Sequence, residues 1–229
     1  MCITFFMAMR KRIAVVLCGS GFKDGSEIRE SVGVLWALSQ HPVDVQCFAP
    51  DAPQKDVINC LTGQAMNESR NQLVEAARIA RGKIKALTEL NPSEFDALIL
   101  PGGFGAAKNL CDFASKGIEG SVIPELKEKL QVFHSANKPI GAVCIAPAIV
   151  TLAFPNMKFN LTVGSDGGVA ESIEKLGHNH IITSASECCS DKKNKIFTTP
   201  AYMYDNANLS DIFEGIRKLV SEVTNAFKK

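Results

Sequence analysis

Apolar strand-like runs alternate with helical patterns along this chain, and that alternation calls for a mostly parallel sheet covered by helices on both faces. Ile13–Leu17 reads as the first strand, followed by a loop over Cys18–Gly25. Ser26 is placed to cap a helix running to Ser39, with Ile28, Val32, Leu35 and Trp36 on its apolar face. Val43–Phe48, Asp96–Leu100 and Pro139–Val143 read as further strands, and Ile84–Leu87 as a short one. Helical patterns cover Ser69–Arg81, Ala106–Phe113, Ile123–Ser135, Val169–Leu176 and Leu209–Phe227. Short strands are expected at Leu161–Val163 and His180–Thr183. Glu187–Cys189 and Lys195–Thr199 flank a hairpin turn at Asp191–Asn194. No repeat or low-complexity linker divides the 229 residues, so the expectation is one domain over residues 10–229 behind a disordered extension at 1–9.

The sharpest point in this pattern is Lys138–Pro147, where a short apolar strand runs into Cys144 and a helical pattern begins at the next residue. Gly141, Ala142 and Ala146 are small enough to permit a very tight strand-to-helix turn, the geometry of a nucleophile elbow. A sulfur there sits at a helix N-terminus, where free N–H groups favour thiolate over thiol. A buried core cysteine fits the same local sequence, because free cysteine is among the most buried residue types. Both readings stay open at this point.

Charge and cysteine usage exclude several classes. A net charge of +1 with interspersed signs offers no field for nucleic acid or anionic membrane. No stretch approaches the ~18 continuous apolar residues of a membrane span. The eight cysteines contain no C-x-x-C, and Cys47, Cys60 and Cys144 fall in apolar strand or helix patterns, as reduced thiols would. Positive charge follows the apolar start at Arg10–Arg12 instead of preceding it, which argues against a secretory signal. The expectation is a cytoplasmic protein.

Gly19-Ser-Gly21-Phe-Lys-Asp-Gly25 follows the first strand and opens a helix, and Asp51 lies beyond the second strand, as in a dinucleotide fingerprint. The spacing is one residue too long, however, and Asp24 and Glu27 would repel a pyrophosphate. No Walker A sequence occurs. Glu27 is better read as a first-turn carboxylate, either stabilising the helix dipole or facing Cys144 at the shared carboxyl edge of the sheet. At that edge the glycine run Gly102–Gly105 ends another strand; the N–H groups of Gly103 and Ile145 could together form an oxyanion hole. None of His41, His134, His178 and His180 lies where a Cys–His pair needs it, and no H-x-E follows the cysteine. Cys18, ending the first strand, is the second thiol that could approach Cys144.

The segments D-G-S-E at Asp24–Glu27, C-F-A-P-D at Cys47–Asp51 and P-G-G-F-G-A-A-K-N-L at Pro101–Leu110 resemble the ElbB glyoxalase-like family. So do V-C-I-A-P-A at Val143–Ala148 and N-K-I-F-T-T-P-A-Y-M at Asn194–Met203. That family, which includes the sigma cross-reacting proteins, lies within the PfpI-like, class I amidotransferase-like superfamily. The likeness runs from about Arg12 to Val223. It implies a flavodoxin-like three-layer α/β/α sandwich with a nucleophile elbow, Cys144 as nucleophile and Glu27 as its partner acid. It also implies a homodimer and weak glyoxalase (hydro-lyase) activity without cofactor or metal, converting glyoxal to glycolate, with removal of early glycation adducts as a related activity. Superfamily members often carry a histidine downstream of the elbow; here that region reads Gly164-Ser-Asp166-Gly, which points to a Cys–Glu site. The rival expectation is a redox-sensing or regulatory binding protein that uses the same thiol with little turnover.

Overall fold

The computed structural model describes residues 10–227, so the extension expected at residues 1–9 lies outside the described residues. The central sheet has seven strands: β1 (Lys11–Val16), β2 (Val43–Ala49), β3 (Ile84–Ala86), β4 (Ala97–Leu100), β5 (Ile140–Val143), β8 (Cys189–Asp191) and β9 (Ile196–Thr199). Their order is β3-β2-β1-β4-β5-β9-β8, parallel throughout except for the edge pair β8–β9. A separate parallel pair joins β6 (Asn160–Leu161) to β7 (Asn179–His180). The helices are α1 (Ile28–Ser39), α2 (Gln72–Ile79), α3 (Phe113–Lys116), α4 (Pro124–Ser135), α5 (Pro147–Ala153), α6 (Gly167–Lys175) and α7 (Leu209–Asn225). This is the flavodoxin-like α/β sandwich the sequence implied.

The topology fixes where chemistry can occur. Strand order runs outward one way from β1 through β2 to β3 and the other way from β4 through β5, so the chain reverses direction between β1 and β4. Crevices open beyond the carboxyl ends of parallel strands at such a reversal. All four residues of β4 and of β5 are buried, as is every residue of α5. Burying each large apolar side chain of this kind contributes roughly 1.5–3 kcal/mol. That packing makes the β5–α5 corner a rigid platform.

Most elements fall where expected; the face and cap of α1 and one helix differ, and the strand expected at His180–Thr183 is confined to Asn179–His180. The apolar face of α1 was expected at Ile28, Val32, Leu35 and Trp36. Instead Glu30, Ser31, Gly33, Val34, Ala37 and Leu38 are buried, and Ile28, Val32 and Trp36 remain 44–47% exposed. Two apolar stripes exist on this helix, and contact with α7 selects the one with smaller residues, where Gly33 gives room to Ile216. Ser26 does not cap α1; its hydroxyl accepts from the Cys18 N–H at 2.9 Å, and Glu27 caps the helix. The helix expected over Ala106–Phe113 is a single wide π turn at Ala106–Leu110, followed by the short α3. Asn109 holds that turn against the first loop, donating to the carbonyls of Cys18 (3.3 Å) and Asp24 (2.8 Å).

Candidate active site

Cys144 follows β5 directly, with its backbone N–H bonded to the Thr199 carbonyl at 2.9 Å and φ at +60°. A non-glycine residue at positive φ is a conformation that persists only when the surroundings impose it. Here the parallel β9 on one side and the buried α5 on the other impose it. The expected elbow is present, although α5 begins only at Pro147, three residues beyond the sulfur. The thiol is 7% exposed and forms part of the floor of a cavity of about 290 Å³.

The thiol's carboxyl partner is Glu30, not the expected Glu27. Glu30 is fully buried, and its carboxyl lies against Cys144, with Oε2 and the Cys144 Cβ both crowding the same point beside Gly102. Oε2 accepts from the Gly102 N–H at 3.1 Å and Oε1 from the Tyr202 N–H at 3.2 Å. Glu27 sits one turn earlier, half-exposed on the cavity wall, where its Oε2 accepts the Glu30 N–H at 2.5 Å. The sequence signal for Glu30 existed: positions 30, 34, 37 and 38 share a helical face, so an acid stood at a core position. Choosing the other stripe of α1 concealed it.

Glycine at position 102 is a condition of this pair. A Cβ there would lie 2.6 Å from Glu30 Oε2 and closer still to the Cys144 Cβ. At Gly103, φ is +100° and a side chain would collide with the backbone of Ser26 and Glu27. The loop after β4 is thereby pressed onto both halves of the site. Its Gly103 amide and that of Ile145, the two read as an oxyanion hole, lie beside Cys144 in the cavity lining, and both favour its thiolate.

The electrostatics differ from the expected thiolate. Burial pushes the Cys144 thiol well above its ordinary value, the charge of Glu30 pushes the same way, and the two N–H groups only partly offset this. Burial likewise raises Glu30 to about 8, with the charge of Glu27 adding to it. Glu27 is also raised, by burial first. With α5 starting late, desolvation outweighs what its N-terminus offers. At neutral pH the Cys144 thiol and the Glu30 carboxyl both keep their protons.

The remaining candidates lie elsewhere. Cys18 is buried beside Ser26 and Asn109, its thiol pushed up to about 12 by burial, and does not line the cavity. Cys60 is exposed in a turn, not inside an apolar element. Asp51 accepts from Asn71 at 2.8 Å, which caps α2, and buried Asp24 accepts from the Ile58 N–H at 2.8 Å. These acids brace the segment between β2 and β3 in place of binding a dinucleotide. His178 accepts from the Phe159 N–H, and His134 stacks on Phe154; neither His41 nor His180 lines the cavity. Among the described residues no group of three His, Cys, Asp or Glu side chains is arranged to hold a metal.

Comparison with known proteins places this geometry in context. A model of the DJ-1/PfpI family matches residues 11–201. A human protein named glutamine amidotransferase-like class 1 domain-containing protein 3, mitochondrial, is 45% identical over 222 residues, covering 93% of this chain and 82% of its own. A solved Ehrlichia chaffeensis isoprenoid biosynthesis protein with an amidotransferase-like domain superposes with a TM-score of 0.88 at 39% identity, covering 95% of this chain and 99% of its own. Glyoxalase III from Candida albicans shares the fold at a TM-score of 0.62 and 14% identity, over 94% of this chain and 97% of its own. The expectation of a cytoplasmic protein is overturned. The human relative and a Rattus norvegicus one, 43% identical over 93% of this chain and 83% of its own, are both named mitochondrial, which points to that organelle. Buried reduced cysteines indicate a reducing compartment and do not say which one.

Proposed function

The chain belongs to the DJ-1/PfpI family, and from that premise we propose that it is a cofactor-independent glyoxalase acting on small dicarbonyl aldehydes. The observation that carries this reading is the buried Glu30 carboxyl packed against Cys144 beside Gly102, with Gly103 and Ile145 lining the same cavity as the sulfur. Such a pair keeps a nucleophile and its proton together until an electrophile arrives.

In the reaction we infer, the Cys144 sulfur adds to one aldehyde carbon of glyoxal while its proton passes through Glu30 to the new alkoxide. The product is a hemithioacetal. Its oxygen is within reach of the amides beside Cys144, and donors fixed in place where charge develops supply much of the rate. Glu27, on the cavity wall, then moves the C–H proton of the hemithioacetal carbon to the neighbouring carbon, while the hemithioacetal hydroxyl proton passes to the aldehyde oxygen. This leaves a thioester of glycolate on Cys144. Attack by water breaks the S–C bond, releases glycolate and restores the thiol. The sum is glyoxal plus water giving glycolate and one proton, with no net oxidation. Acid–base steps of this kind typically contribute 10²–10⁴-fold.

Release of glycolate, measured with wild type beside Cys144→Ala and Cys18→Ala, tests the reading. Activity is expected to vanish in the first variant and persist in the second. The redox-sensor reading draws on the same Glu30 contact, since a carboxylic acid can donate to a sulfinate. Intact mass after mild peroxide separates the two: stoichiometric Cys144 oxidation with no aldehyde turnover would favour the sensor.

A further inference from the structure

The lining of the Cys144 cavity carries a charge pattern that the reaction itself does not require. Glu27, Asp166 and Asp205 all line it, and no Lys, Arg or His does. Among the described residues, none of the three carboxylates has a cation within ion-pair distance. The remaining wall is largely apolar or aromatic, including Phe22, Phe104 and Tyr202. Carboxylates beside aromatic faces form the set that recognises an ammonium or guanidinium group.

Cations do surround the cavity, but from outside. Arg29 donates to the Tyr202 hydroxyl at 3.0 Å and is exposed. Lys23 lies 5.4 Å from the Phe22 ring centroid and Lys108 lies 4.8 Å from that of Phe104. Both lysines line the neighbouring cavity, and Lys108 is neutralised by Asp56 at 2.7 Å. These rings thus already accept cations from the neighbouring cavity.

Two of the three acids have a structural reason to be present. Glu27 caps α1, and Asp166 caps α6 by accepting from the Val169 N–H at 2.9 Å. Asp205 caps nothing; the cap position of the next helix is Asn208. It is exposed at the cavity edge beside Met203. A concave, low-dielectric site lined by one sign of charge concentrates ligands of the opposite sign.

We propose that the cavity mouth selects by charge: electrophiles carrying an ammonium or guanidinium group are drawn to Cys144, and those carrying a carboxylate or phosphate are turned away. An aldehyde on a cationic side chain or amine is then the preferred substrate class, neutral glyoxal an intermediate case, and a keto- or aldehyde-acid a poor one. The proposal rests on Cys144 being the reacting group, as in the function above, and not on aldehyde chemistry.

The test uses three methanethiosulfonate reagents that differ only in carrying a trimethylammonium, a neutral or a sulfonate group. Rates of labelling at Cys144 are read by peptide mass and divided by the rate of each reagent with a small neutral thiol. The cationic reagent is expected to exceed the anionic one at least tenfold after this correction, within the range electrostatic focusing supplies. Asp205→Asn combined with Asp166→Asn, which keeps a capping side chain, should bring the ratio towards one, as should high salt. A corrected ratio near one in wild type, or a ratio unchanged in the double variant, overturns the charge selection and leaves the nucleophile standing. Failure of all three reagents to reach Cys144 overturns both.

Discussion

Glu30 and Cys144 meet with no side chain between them because residue 102 is glycine: the carboxyl accepts the Gly102 N–H and lies against the cysteine side chain. Neither group is solvated well enough to ionise easily, so their protons govern both reactivity and stability.

The first consequence is a pH profile. The lower of the two raised values belongs to Glu30, at about 8. Loss of that proton sets a carboxylate charge against the thiol, which holds the thiol further up. Alkylation of Cys144 by iodoacetamide should therefore stay slow as pH rises through about 8. In Glu30→Gln that charge is absent, so alkylation should set in at lower pH than in wild type. A midpoint unchanged by this substitution would separate the carboxyl from the thiol.

The same proton predicts how stability varies. Glu30 rises from 4.5 to about 8 on folding, so the native state holds a proton that the unfolded chain releases. Its contribution is present below about 4.5 and is lost as pH climbs towards 8. Glutamine does not titrate. The stability of Glu30→Gln relative to wild type should grow across this window, by a few kcal/mol as an order of magnitude. Urea unfolding at pH 5 and pH 8 measures it.

Glu27 and Glu30 should separate kinetically. Glu27→Gln should lower glycolate formation by roughly 10²–10⁴-fold while leaving the alkylation rate of Cys144 close to wild type. Glu30→Gln should change both. Equal behaviour in the two variants would remove the division of roles.

Gly102→Ala forces a methyl against the Glu30 carboxyl and the Cys144 Cβ. Overpacking of this kind typically costs about 1–3 kcal/mol, and the displaced thiol should lose most of its activity. Thermal unfolding and glycolate release report the two effects separately.

The elbow was legible in the sequence because its requirements are local: an apolar strand, small residues and one cysteine. That Gly103 and Ile145 fall beside Cys144 was legible for the same reason, since each belongs to the short segment ending a strand. Glu30 was obscured because α1 carries two apolar stripes, and only contact with α7 decides between them. Charge state was the least legible of all. The proximity of Cys144 to a helix start suggested a thiolate, but burial acts from every direction and is set by chain segments far away in sequence. The acid-lined mouth shows the same limit, since Glu27, Asp166 and Asp205 are separated by most of the chain and meet only in the fold.

The most direct measurement is glycolate produced from glyoxal by wild type, Cys144→Ala and Glu30→Gln, each confirmed folded by its unfolding transition. A wild-type rate that disappears in the first variant and falls steeply in the second is expected. Glycolate formation at wild-type rate without the Cys144 sulfur would contradict the chemistry assigned to this site.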